Sequence, residues 1–299
     1  MGSETRQGER RAVDAGSDGG KAPKLGILAG GGALPRRLIA AARAQGRAVF
    51  VIAFHGQTEA ATAEAAPSFW THLGNAGEAL ERLRREEVEE LVLAGPIRRP
   101  SLLKLRLDAR AARFVAQIGR RAFGDDGLLG AVVKTLEEDE GFRVIGVQEI
   151  LGDLLMSAGL YGRHRPDAQA EADIARGLDI VRALGRLDVG QAAVIQQGLV
   201  LGVEAIEGTD ALLRRAGELR RDGPGGVLVK IAKPGQETRV DLPTVGLTTV
   251  EGVRSAGLRG LAIQAGATLV VDRREVISAC DEAGLFLIGL DLDREPRRG

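Results

Sequence analysis

The folded part of this chain opens with Lys24-Leu-Gly-Ile-Leu-Ala-Gly-Gly-Gly-Ala-Leu-Pro35. The apolar run predicts a short buried strand, the three glycines a tight turn, and residues 36–45 a helix. Glycine lets the backbone approach a ligand closely, and the first N–H groups of a helix attract an anion such as phosphate. We therefore predict a nucleotide- or phosphate-binding turn. The alternative is close backbone packing, because the run lacks a complete G-x-G-x-x-G motif and the lysine of a P-loop.

The alternation of strands and helices continues through the first half. Strands are predicted over residues 47–54, 90–95 and 142–147, with a helix over residues 77–85. This order is typical of a doubly wound parallel sheet, so we predict an α/β fold whose first domain is Rossmann-like. Ligands of such sheets bind at the carboxyl ends of the strands. The substrate contacts that we predict at that edge are Gly31, Gly32, Ala33, Gly95 and Arg98.

Two of the loops at this edge are open to a second interpretation. Arg98 and Arg99 precede a proline and fit either a bidentate phosphate contact or a solvated loop. Asp125 and Asp126 stand just before a helix predicted over residues 128–138, where an aspartate commonly caps the first turn. Capping alone would explain both acids. The functional interpretation is that one caps while the other faces the ligand or its metal.

Composition limits the classes of partner and site. Lys and Arg together number 41 and equal Asp and Glu, so the chain lacks the basic field typical of nucleic-acid binding. One cysteine and three histidines, without metal-ligand spacing, argue against a disulfide and a structural zinc site. Because no apolar run reaches the roughly 20 residues of a membrane span and no signal peptide is present, a cytoplasmic protein is predicted.

The length of 299 residues exceeds the size at which one core usually keeps growing, so we predict two domains. Residues 1–23 are polar and glycine-rich and are expected to form a disordered leader. The Rossmann-like domain is assigned to residues 24–153 and a linker to residues 154–168, which contain glycines and a proline. A second α/β domain, the catalytic one, is assigned to residues 169–293, with the ligand in the crevice between the domains.

Carboxylates concentrate in the second domain after a predicted β-hairpin that turns at Gln197-Gly198. The stretch Glu204-Ala-Ile-Glu-Gly-Thr-Asp210 follows the second hairpin strand directly. Hard cations such as Mg²⁺ prefer carboxylate and water oxygens, so a metal site is favoured here. The alternative is simple capping, by Thr209 or Asp210, of a helix predicted over residues 211–218.

A second polar stretch follows a strand predicted over residues 226–232. Lys230 alternates with apolar neighbours in that strand, which predicts that it points into the same crevice. A cation near an acid in a cleft suits phosphoryl-transfer chemistry, whereas an exposed ion pair would contribute about 1 kcal/mol at most. Further on, residues 260–272 are predicted as a helix or turn followed by a strand, and residues 284–290 as another strand. Cys280 is predicted as a buried residue on the helix between them.

Five motifs in this order resemble the UDP-2,3-diacylglucosamine pyrophosphatase family of lipid A biosynthesis, in the branch unrelated to metallophosphoesterases. They are the glycine turn quoted above, Gly124-Asp-Asp, Leu187-Asp-Val-Gly-Gln, Glu204-Ala-Ile-Glu-Gly-Thr-Asp-Ala-Leu-Leu-Arg-Arg, and the stretch Lys233-Pro-Gly-Gln-Glu-Thr-Arg-Val-Asp-Leu-Pro243. The resemblance extends from about Lys24 to Leu290. It implies a hydrolase that converts UDP-2,3-diacylglucosamine to UMP and 2,3-diacylglucosamine 1-phosphate with the help of Mg²⁺ or another divalent cation, by water attack at the β-phosphorus. It also implies a homodimer that meets the inner membrane peripherally and whose two domains clasp the lipid-linked substrate.

The resemblance also suggests roles for individual residues. Asp241 is the leading catalytic acid, as a metal ligand or as the group that orients water, and Glu207 and Asp210 are further metal ligands. Asp210 and Lys230 complete the predicted catalytic set. The remaining predicted substrate contacts are Asp125, Asp126, Gln191, Thr209, Lys233, Gln236, Arg239 and Thr244.

Two other function classes fit parts of the pattern. A nucleotide-sugar-modifying enzyme on a Rossmann-like fold would use the glycine turn, but the chain lacks a clear ribose-binding acid about 20 residues on. A non-catalytic nucleotide- or lipid-binding protein would use the crevice alone. Metal-dependent release of UMP distinguishes the hydrolase from both.

Overall fold

The computed structural model describes residues 22–97, 107–118 and 125–292, and these residues form two α/β domains. The side chains of residues 117, 118, 125 and 126 are outside that description. Most of the predicted leader, and Arg98, also lie outside the described residues.

The first domain contains a parallel sheet of five strands in the order β3-β2-β1-β4-β5. Its strands are β1 Leu25–Ala29, β2 Val49–Phe54, β3 Ser68–Thr71, β4 Glu90–Ala94 and β5 Arg143–Val144. Its helices are α1 Leu34–Ala44, α2 Ala60–Glu64, α3 Ala76–Arg85, α4 Ala109–Ile118, α5 Asp125–Lys134 and α6 Val147–Ile150. A π-helical turn, Thr135–Asp139, continues α5, and a 3₁₀ turn, Gly152–Leu154, follows α6.

Helices cover both faces of this sheet, as its buried strands require. Leu38 and Ile39 of α1 pack on one face, and Leu80 and Leu83 of α3 pack on the other. Pro35 lies in the first turn of α1, where its missing N–H costs no helical hydrogen bond. The predicted order of strand, glycine turn and helix is confirmed.

The second domain is built on a six-stranded mixed sheet in the order β6-β13-β11-β9-β7-β8. The strands are β6 Gly159–Tyr161, β7 Ala192–Gln196, β8 Leu199–Val203, β9 Val227–Lys230, β11 Gly260–Gln264 and β13 Phe286–Leu290, with β10 Thr244–Val245 and β12 Leu269–Val270 forming a separate parallel pair. The helices are α7 Ala168–Arg186, α8 Gly208–Glu218, α9 Leu247–Ser255 and α10 Arg273–Glu282. The parallel strands β9, β11 and β13 are central, and the antiparallel hairpin β7–β8 extends the sheet to one edge.

The predicted hairpin turn is confirmed in detail. Gln197 has φ 51° and Gly198 has φ 79°, the pair of positive φ values that a tight hairpin turn requires. Asp173 of α7 accepts hydrogen bonds from both backbone N–H groups of this turn, at 3.0 and 2.7 Å. The buried acid therefore fixes the hairpin to the longest helix of the domain.

Several element predictions are corrected. The strand predicted over residues 142–147 ends at Val144, because Glu149 accepts a hydrogen bond from the Gly146 N–H and starts α6. Residues 260–264 form the central strand β11 instead of a helix or turn. A Cβ at Gly260 would lie 2.4 Å from the Phe286 ring, so this strand requires a glycine beside that ring.

The segment predicted as a linker also contains structure. β6 pairs antiparallel with β13 and so forms one edge of the second sheet. Gly289 of β13 lies against the chain just before β6, since a Cβ there would be 2.2 Å from the Ser157 carbonyl oxygen. Helix α7 begins at Ala168 because Asp167 caps it, accepting from the Ala170 N–H at 2.8 Å.

The two domains share apolar packing. Leu269 of the second domain is buried in the cluster that contains Ile27 and Val51 of the first sheet, and Leu242 packs against the same cluster. Leu155 forms an isolated antiparallel bridge with Leu269. The loop that follows β9 therefore runs along the first domain.

Candidate functional site

Lys230, the last residue of β9, lies at the centre of the polar residues in the second domain. It is only 6% exposed, and its ammonium group donates hydrogen bonds to Thr209 Oγ1 at 2.9 Å and to the Thr244 carbonyl oxygen at 3.2 Å. The predicted inward orientation of Lys230 is therefore confirmed. An interior ammonium is costly unless it is paired, so its surroundings must supply negative charge.

Thr209 connects Lys230 to a buried carboxylate. Its hydroxyl donates to Glu204 Oε1 at 2.7 Å, and Glu204 Oε2 accepts from the Gln191 N–H at 3.2 Å. Glu204 is 5% exposed and extends the hairpin ladder, because its own N–H donates to the Ala192 carbonyl oxygen at 2.8 Å. Lys230, Thr209 and Glu204 thus form one buried hydrogen-bonded chain.

The charge state of Lys230 reflects two opposing effects. Burial lowers its pKa from the ordinary value of 10.5, while the negative charges of Glu204, Asp210 and Asp241 act in the other direction. Burial is the larger effect, so the pKa remains lowered. The three acids whose charges act on Lys230 come from the residues after β8, the first turn of α8 and the loop after β9.

The loop after β9 holds Asp241 in a defined orientation. Gln236 Nε2 donates to Asp241 Oδ2 at 2.7 Å, and Gln236 Oε1 accepts from the Lys233 N–H at 3.0 Å. Gln236 is buried, so both ends of its amide are used within the loop. This residue was predicted to contact substrate, and the structure places it behind Asp241, where it positions the carboxylate.

The same loop crosses to the first domain. Val240 and Leu242, on either side of Asp241, pack against the two apolar clusters of the first domain. Arg239 donates to Glu137 at 2.7 Å and to the Val144 carbonyl oxygen at 3.4 Å. Asp241 therefore lies where the two domains meet.

The guanidinium group of Arg239 already donates hydrogen bonds to several acceptors of the protein. In addition to Glu137, it makes a two-pronged contact with Glu237, with both N···O distances at 2.8 Å. The hydrogen bonds that Arg239 donates to Glu237 and then to Glu137 raise its pKa, and the contact with Arg239 lowers the pKa of Glu237. Arg239 was predicted to contact phosphate. In this conformation it joins the two domains, and a phosphate would have to compete with two carboxylates.

In the glycine turn of the first domain, some glycines are required for close packing, whereas others leave space beside the backbone. A Cβ at Gly30 would lie 2.4 Å from the Gly95 carbonyl oxygen, so these two loops require glycine for their approach. The Gly31 N–H donates to Pro96, and the Gly32 N–H donates to Glu59 Oε1 at 3.2 Å. The packing alternative therefore explains Gly30 and Gly95. At Gly32 a carboxylate already lies beside the start of α1, with Ala33 as its N-cap residue.

The predicted metal ligands do not converge on a shared point. Within the described ranges, no group of three or more His, Cys, Asp or Glu side chains is close enough to hold a metal ion. Glu207 pairs with Arg215 at 2.7 Å, and hydrogen bonds from its own N–H and from Arg215 lower its pKa. The charges of Asp210 and Asp241 act instead on Lys230 and favour its charged form.

The other predicted residues are placed as follows. Lys233 pairs with Asp188 at 2.6 Å, and the Gln191 Oε1 atom is buried without a hydrogen-bond partner. Thr244 is exposed beside Lys230, and its hydroxyl donates to Leu242 O at 3.2 Å. Neither Thr209 nor Asp210 caps α8, because that helix starts at Gly208 and its N-cap residue is Glu207. Asp125 and Asp126 open α5, and their side chains lie outside the described part.

Glu204 is the residue that the predicted site set omitted. Of the three acids in its motif, Glu207 and Asp210 were predicted as metal ligands, yet Glu204 is the one hydrogen-bonded to Thr209, which accepts from Lys230. The sequence signal that could have identified Glu204 is the alternation of side chains between the two faces of β8. Gly202 faces α8, since a Cβ there would contact Leu212, and Glu204 continues the same face.

Both domains match known protein families. Residues 24–154 match the LpxI N-terminal domain family, and residues 157–288 match the LpxI C-terminal domain family. The chain is 41% identical over 280 residues to the UDP-2,3-diacylglucosamine pyrophosphatase LpxI of Caulobacter vibrioides. That match covers 91% of this chain and 99% of the relative.

Solved structures give only distant matches. The N5-carboxyaminoimidazole synthetase of Staphylococcus aureus complexed with ADP is 14% identical, with 58% of this chain and 38% of that chain covered and a TM-score of 0.25. A CobK precorrin-6A reductase is 16% identical, with 92% and 90% covered and a TM-score of 0.30. This chain therefore spans well under half of the synthetase, and at these scores neither structure informs the function.

Proposed function

We propose, because the chain belongs to the LpxI family, that it hydrolyses the pyrophosphate bond of UDP-2,3-diacylglucosamine in lipid A biosynthesis. The products are UMP and 2,3-diacylglucosamine 1-phosphate. The observation that carries the proposal is the 41% identity to a pyrophosphatase of this specificity, over nearly the whole length of both proteins. The site adds a buried cation and an oriented acid at the junction of the two domains, which suits an anionic substrate.

Lys230 is proposed to stabilise the charge that develops on the phosphates. Its ammonium is held by Thr209 and the Thr244 carbonyl group in a buried position, where an electrostatic contact is stronger than in water. The Thr209 hydroxyl donates its hydrogen to Glu204. The oxygen of the same hydroxyl therefore accepts a hydrogen bond from the Lys230 ammonium group. The chain of three residues keeps the ammonium in one place before the substrate arrives.

Asp241 is proposed as the acid that orients the attacking water. Gln236 holds one of its carboxylate oxygens, and the adjacent residues fix the loop against the first domain. Water attack at the β-phosphorus forms a new P–O bond there and breaks the bond from that phosphorus to the bridging oxygen. The bridging oxygen leaves with UMP, and the proton of the water passes to solvent through the acid.

A divalent cation, Mg²⁺ first, is proposed to assist. Magnesium is usually bound through one or two carboxylates together with substrate phosphates and water, so a preformed cage of three protein acids is not needed. Asp210 and Asp241 fit that requirement, as acids that flank Lys230. Glu207 fits it less well because Arg215 already neutralises its carboxylate. When bound, the cation would supply additional charge stabilisation at the phosphates.

The acyl chains are proposed to lie along an apolar rim, defined as Leu187, Val189, Ile206 and Leu247. All four side chains are exposed. Ile206 lies in the loop between Glu204 and α8, and Leu247 begins α9 just after Thr244, so the rim flanks the residues around Lys230. Exposed apolar side chains grouped at a site are typical of lipid or membrane contact.

Peripheral contact with the inner membrane, a cytoplasmic location and a homodimer are proposed on the same family grounds. Over the described ranges, no helix combines the length and apolarity of a membrane span. Flotation of the protein with liposomes and light scattering after gel filtration would test the membrane contact and the dimer. Replacement of Ile206 by Ser should weaken flotation if the rim meets the bilayer, whereas unchanged flotation would contradict that role.

Phosphorus NMR of the purified protein with UDP-2,3-diacylglucosamine in ¹⁸O-enriched water would test the reaction. Turnover with label in the lipid phosphate supports attack at the β-phosphorus, and label in UMP would move the attack to the α-phosphorus. Activity that disappears with chelator and returns with Mg²⁺ supports the metal. Full activity in chelator would contradict the metal while leaving hydrolysis intact, and binding without turnover would favour a non-catalytic binding protein.

A further inference from the structure

Three ring side chains form an exposed cluster at the carboxyl edge of the first sheet. The His55 ring stacks on the Trp70 ring, with centroids 5.1 Å apart and planes 24° apart. The His72 ring lies 4.7 Å from His55, tilted by 40°. Both histidines are exposed and Trp70 is partly exposed, so this ring cluster is not part of the core.

The strand register places the ring cluster on a particular face of the sheet. Through its partner in β2, Trp70 shares a face with Ala29, which belongs to the apolar cluster that also buries Leu269 of the second domain. Side chains two residues apart lie on the same face of a strand, so His72 follows Trp70 there, and the ring contacts bring His55 with them. The ring cluster thus shares its face of the sheet with the apolar cluster that includes Leu242 and Leu269 of the second domain.

The ring cluster is also adjacent to the glycine turn. Strands β1 and β2 are hydrogen-bonded neighbours in register, and His55 follows β2 directly. The turn after His55 contacts the glycines, because a Cβ at Gly31 would be 3.2 Å from the Gln57 carbonyl oxygen and the Thr58 hydroxyl donates to Ala29 O. Neighbouring strands are about 4.8 Å apart, so one nucleotide can reach from the start of α1 to the rings.

The residue at the end of the second strand determines what this position can bind. A dinucleotide-binding sheet has an acid there that hydrogen-bonds the ribose. This chain has His55 instead, stacked with a tryptophan. Aromatic faces bind nucleobases by stacking, and this contact requires no ribose-binding acid.

We infer that His55, Trp70 and His72 form the platform on which the uracil base of the substrate and of UMP stacks. This inference rests on the proposed function for the identity of the base. The base would lie on the exposed imidazole and indole surface, with the phosphates directed towards the glycine turn and the domain junction. Two histidines without a third nearby ligand among the described residues do not form a metal site, so stacking is the use that the cluster fits.

The test uses Trp70, which is the single tryptophan of the chain, so that intrinsic fluorescence reports on the platform directly. Purified protein is titrated with UMP and, separately, with ribose 5-phosphate, which has the sugar and phosphate but no base. We expect saturable quenching by UMP and little by ribose 5-phosphate. Loss of one stacking contact weakens base binding by about tenfold or more, so His55→Ala should raise the Kd for UMP by at least that factor.

His164→Ala is the matched control, since His164 hydrogen-bonds the Asp281 carbonyl group in the second domain and lies outside the ring cluster. His72→Ala, at the other exposed histidine, and Trp70→Leu are further cluster variants, so that a folding defect in one variant does not decide the test. Binding of UMP to Trp70→Leu, which lacks the fluorophore, is measured by calorimetry. Equal affinity for UMP in the wild type and all three cluster variants would overturn the inference, as would equal affinity of the wild type for UMP and ribose 5-phosphate.

Hydrolysis of UDP-2,3-diacylglucosamine by the wild type is measured in the same preparations. If hydrolysis occurs but the cluster variants keep their KM and their affinity for UMP, the platform is wrong and the proposed function stands. If hydrolysis is absent but UMP still quenches Trp70 and His55→Ala abolishes the quenching, the platform stands and the proposed function fails.

Discussion

Lys230 Nζ and Thr209 Oγ1 lie 2.9 Å apart and join the end of β9 to the first turn of α8. The contact is buried, and it continues to Glu204 through the Thr209 hydroxyl. A lysine held in this way has its charge fixed in position, and its pKa is lowered by burial despite three nearby acids. The mechanism proposed above depends on this pair more than on any preformed metal cage.

Replacing Lys230 by Met should remove the charge and keep most of the volume. Removing one preorganised electrostatic contact typically lowers kcat by about 10²-fold or more, and we expect that loss here. Thermal stability should fall as well, since methionine leaves the buried Glu204 carboxylate without the nearby positive charge. Steady-state kinetics and a melting curve measure both quantities.

The control for this variant is Lys134→Met, at an exposed lysine that pairs with Glu138 on the same helical segment. This change should leave kcat unaltered. A Lys230→Met enzyme with kcat within twofold of the wild type would refute the role of the ammonium group.

Gln236→Leu should disturb Asp241 without altering the acid itself. A hydrogen bond to a charged group contributes about 1.5 kcal/mol or more, so we expect kcat to fall by about tenfold. Because Gln236 positions the acid and is itself buried behind it, the KM for UDP-2,3-diacylglucosamine should stay close to that of the wild type. Steady-state kinetics measure both constants, and a kcat within twofold of the wild type, or a change confined to KM, would contradict the positioning role.

Cys280 gives a prediction about pH because it is the single cysteine and is fully buried in α10. Burial, together with the charge of Asp281, raises the pKa of its thiol to about 12. The thiol therefore stays almost fully protonated between about pH 7 and 9, so alkylation of the native protein should be slow, with a rate that rises about tenfold per pH unit because the pH lies below that pKa. In denaturant the rate should be much higher, and it should level off above about pH 8.5, the ordinary pKa of an exposed thiol. Rapid labelling of the native protein would show that α10 opens.

Two helical glycines provide a matched test of packing. A Cβ at Gly177 of α7 would lie 2.5 Å from Val229 of β9, whereas a Cβ at Gly130 of α5 meets nothing within 4 Å. Gly177→Ala should lower the free energy of unfolding by about 1–3 kcal/mol through overpacking, and Gly130→Ala should raise it by about 0.5–1 kcal/mol. Denaturant unfolding measures both changes. Equal effects would mean that the contact of α7 with β9 is looser than described.

The sequence predicted those parts of the fold whose signals are local. The strand and glycine turn before α1 and the hairpin at Gln197-Gly198 each depend on a few adjacent residues with distinctive backbone preferences. Strand β11 was missed because a short apolar run does not distinguish a buried strand from a helix. Its identity depends on neighbours β9 and β13, which lie far away along the chain.

The site was predicted in part for the same reason. Lys230 was predicted to point inward from its alternation with apolar neighbours, and its side chain is buried in the structure. The partner of Arg239 could not be predicted, because Glu137 belongs to the other domain and is 102 residues away in the chain. The use of Gln236 as support for Asp241 likewise depends on the conformation of one loop, which no sequence period encodes.

The most direct test of the account is the rate at which UDP-2,3-diacylglucosamine is converted to UMP by the wild type, by Asp241→Asn and by Asp222→Asn, the last a change at an exposed loop acid. We expect the wild type and Asp222→Asn to release UMP and 2,3-diacylglucosamine 1-phosphate at similar rates, and Asp241→Asn to be slower by about 10²-fold or more with its fold intact. Near-normal turnover by Asp241→Asn, or no turnover by the wild type, would contradict it.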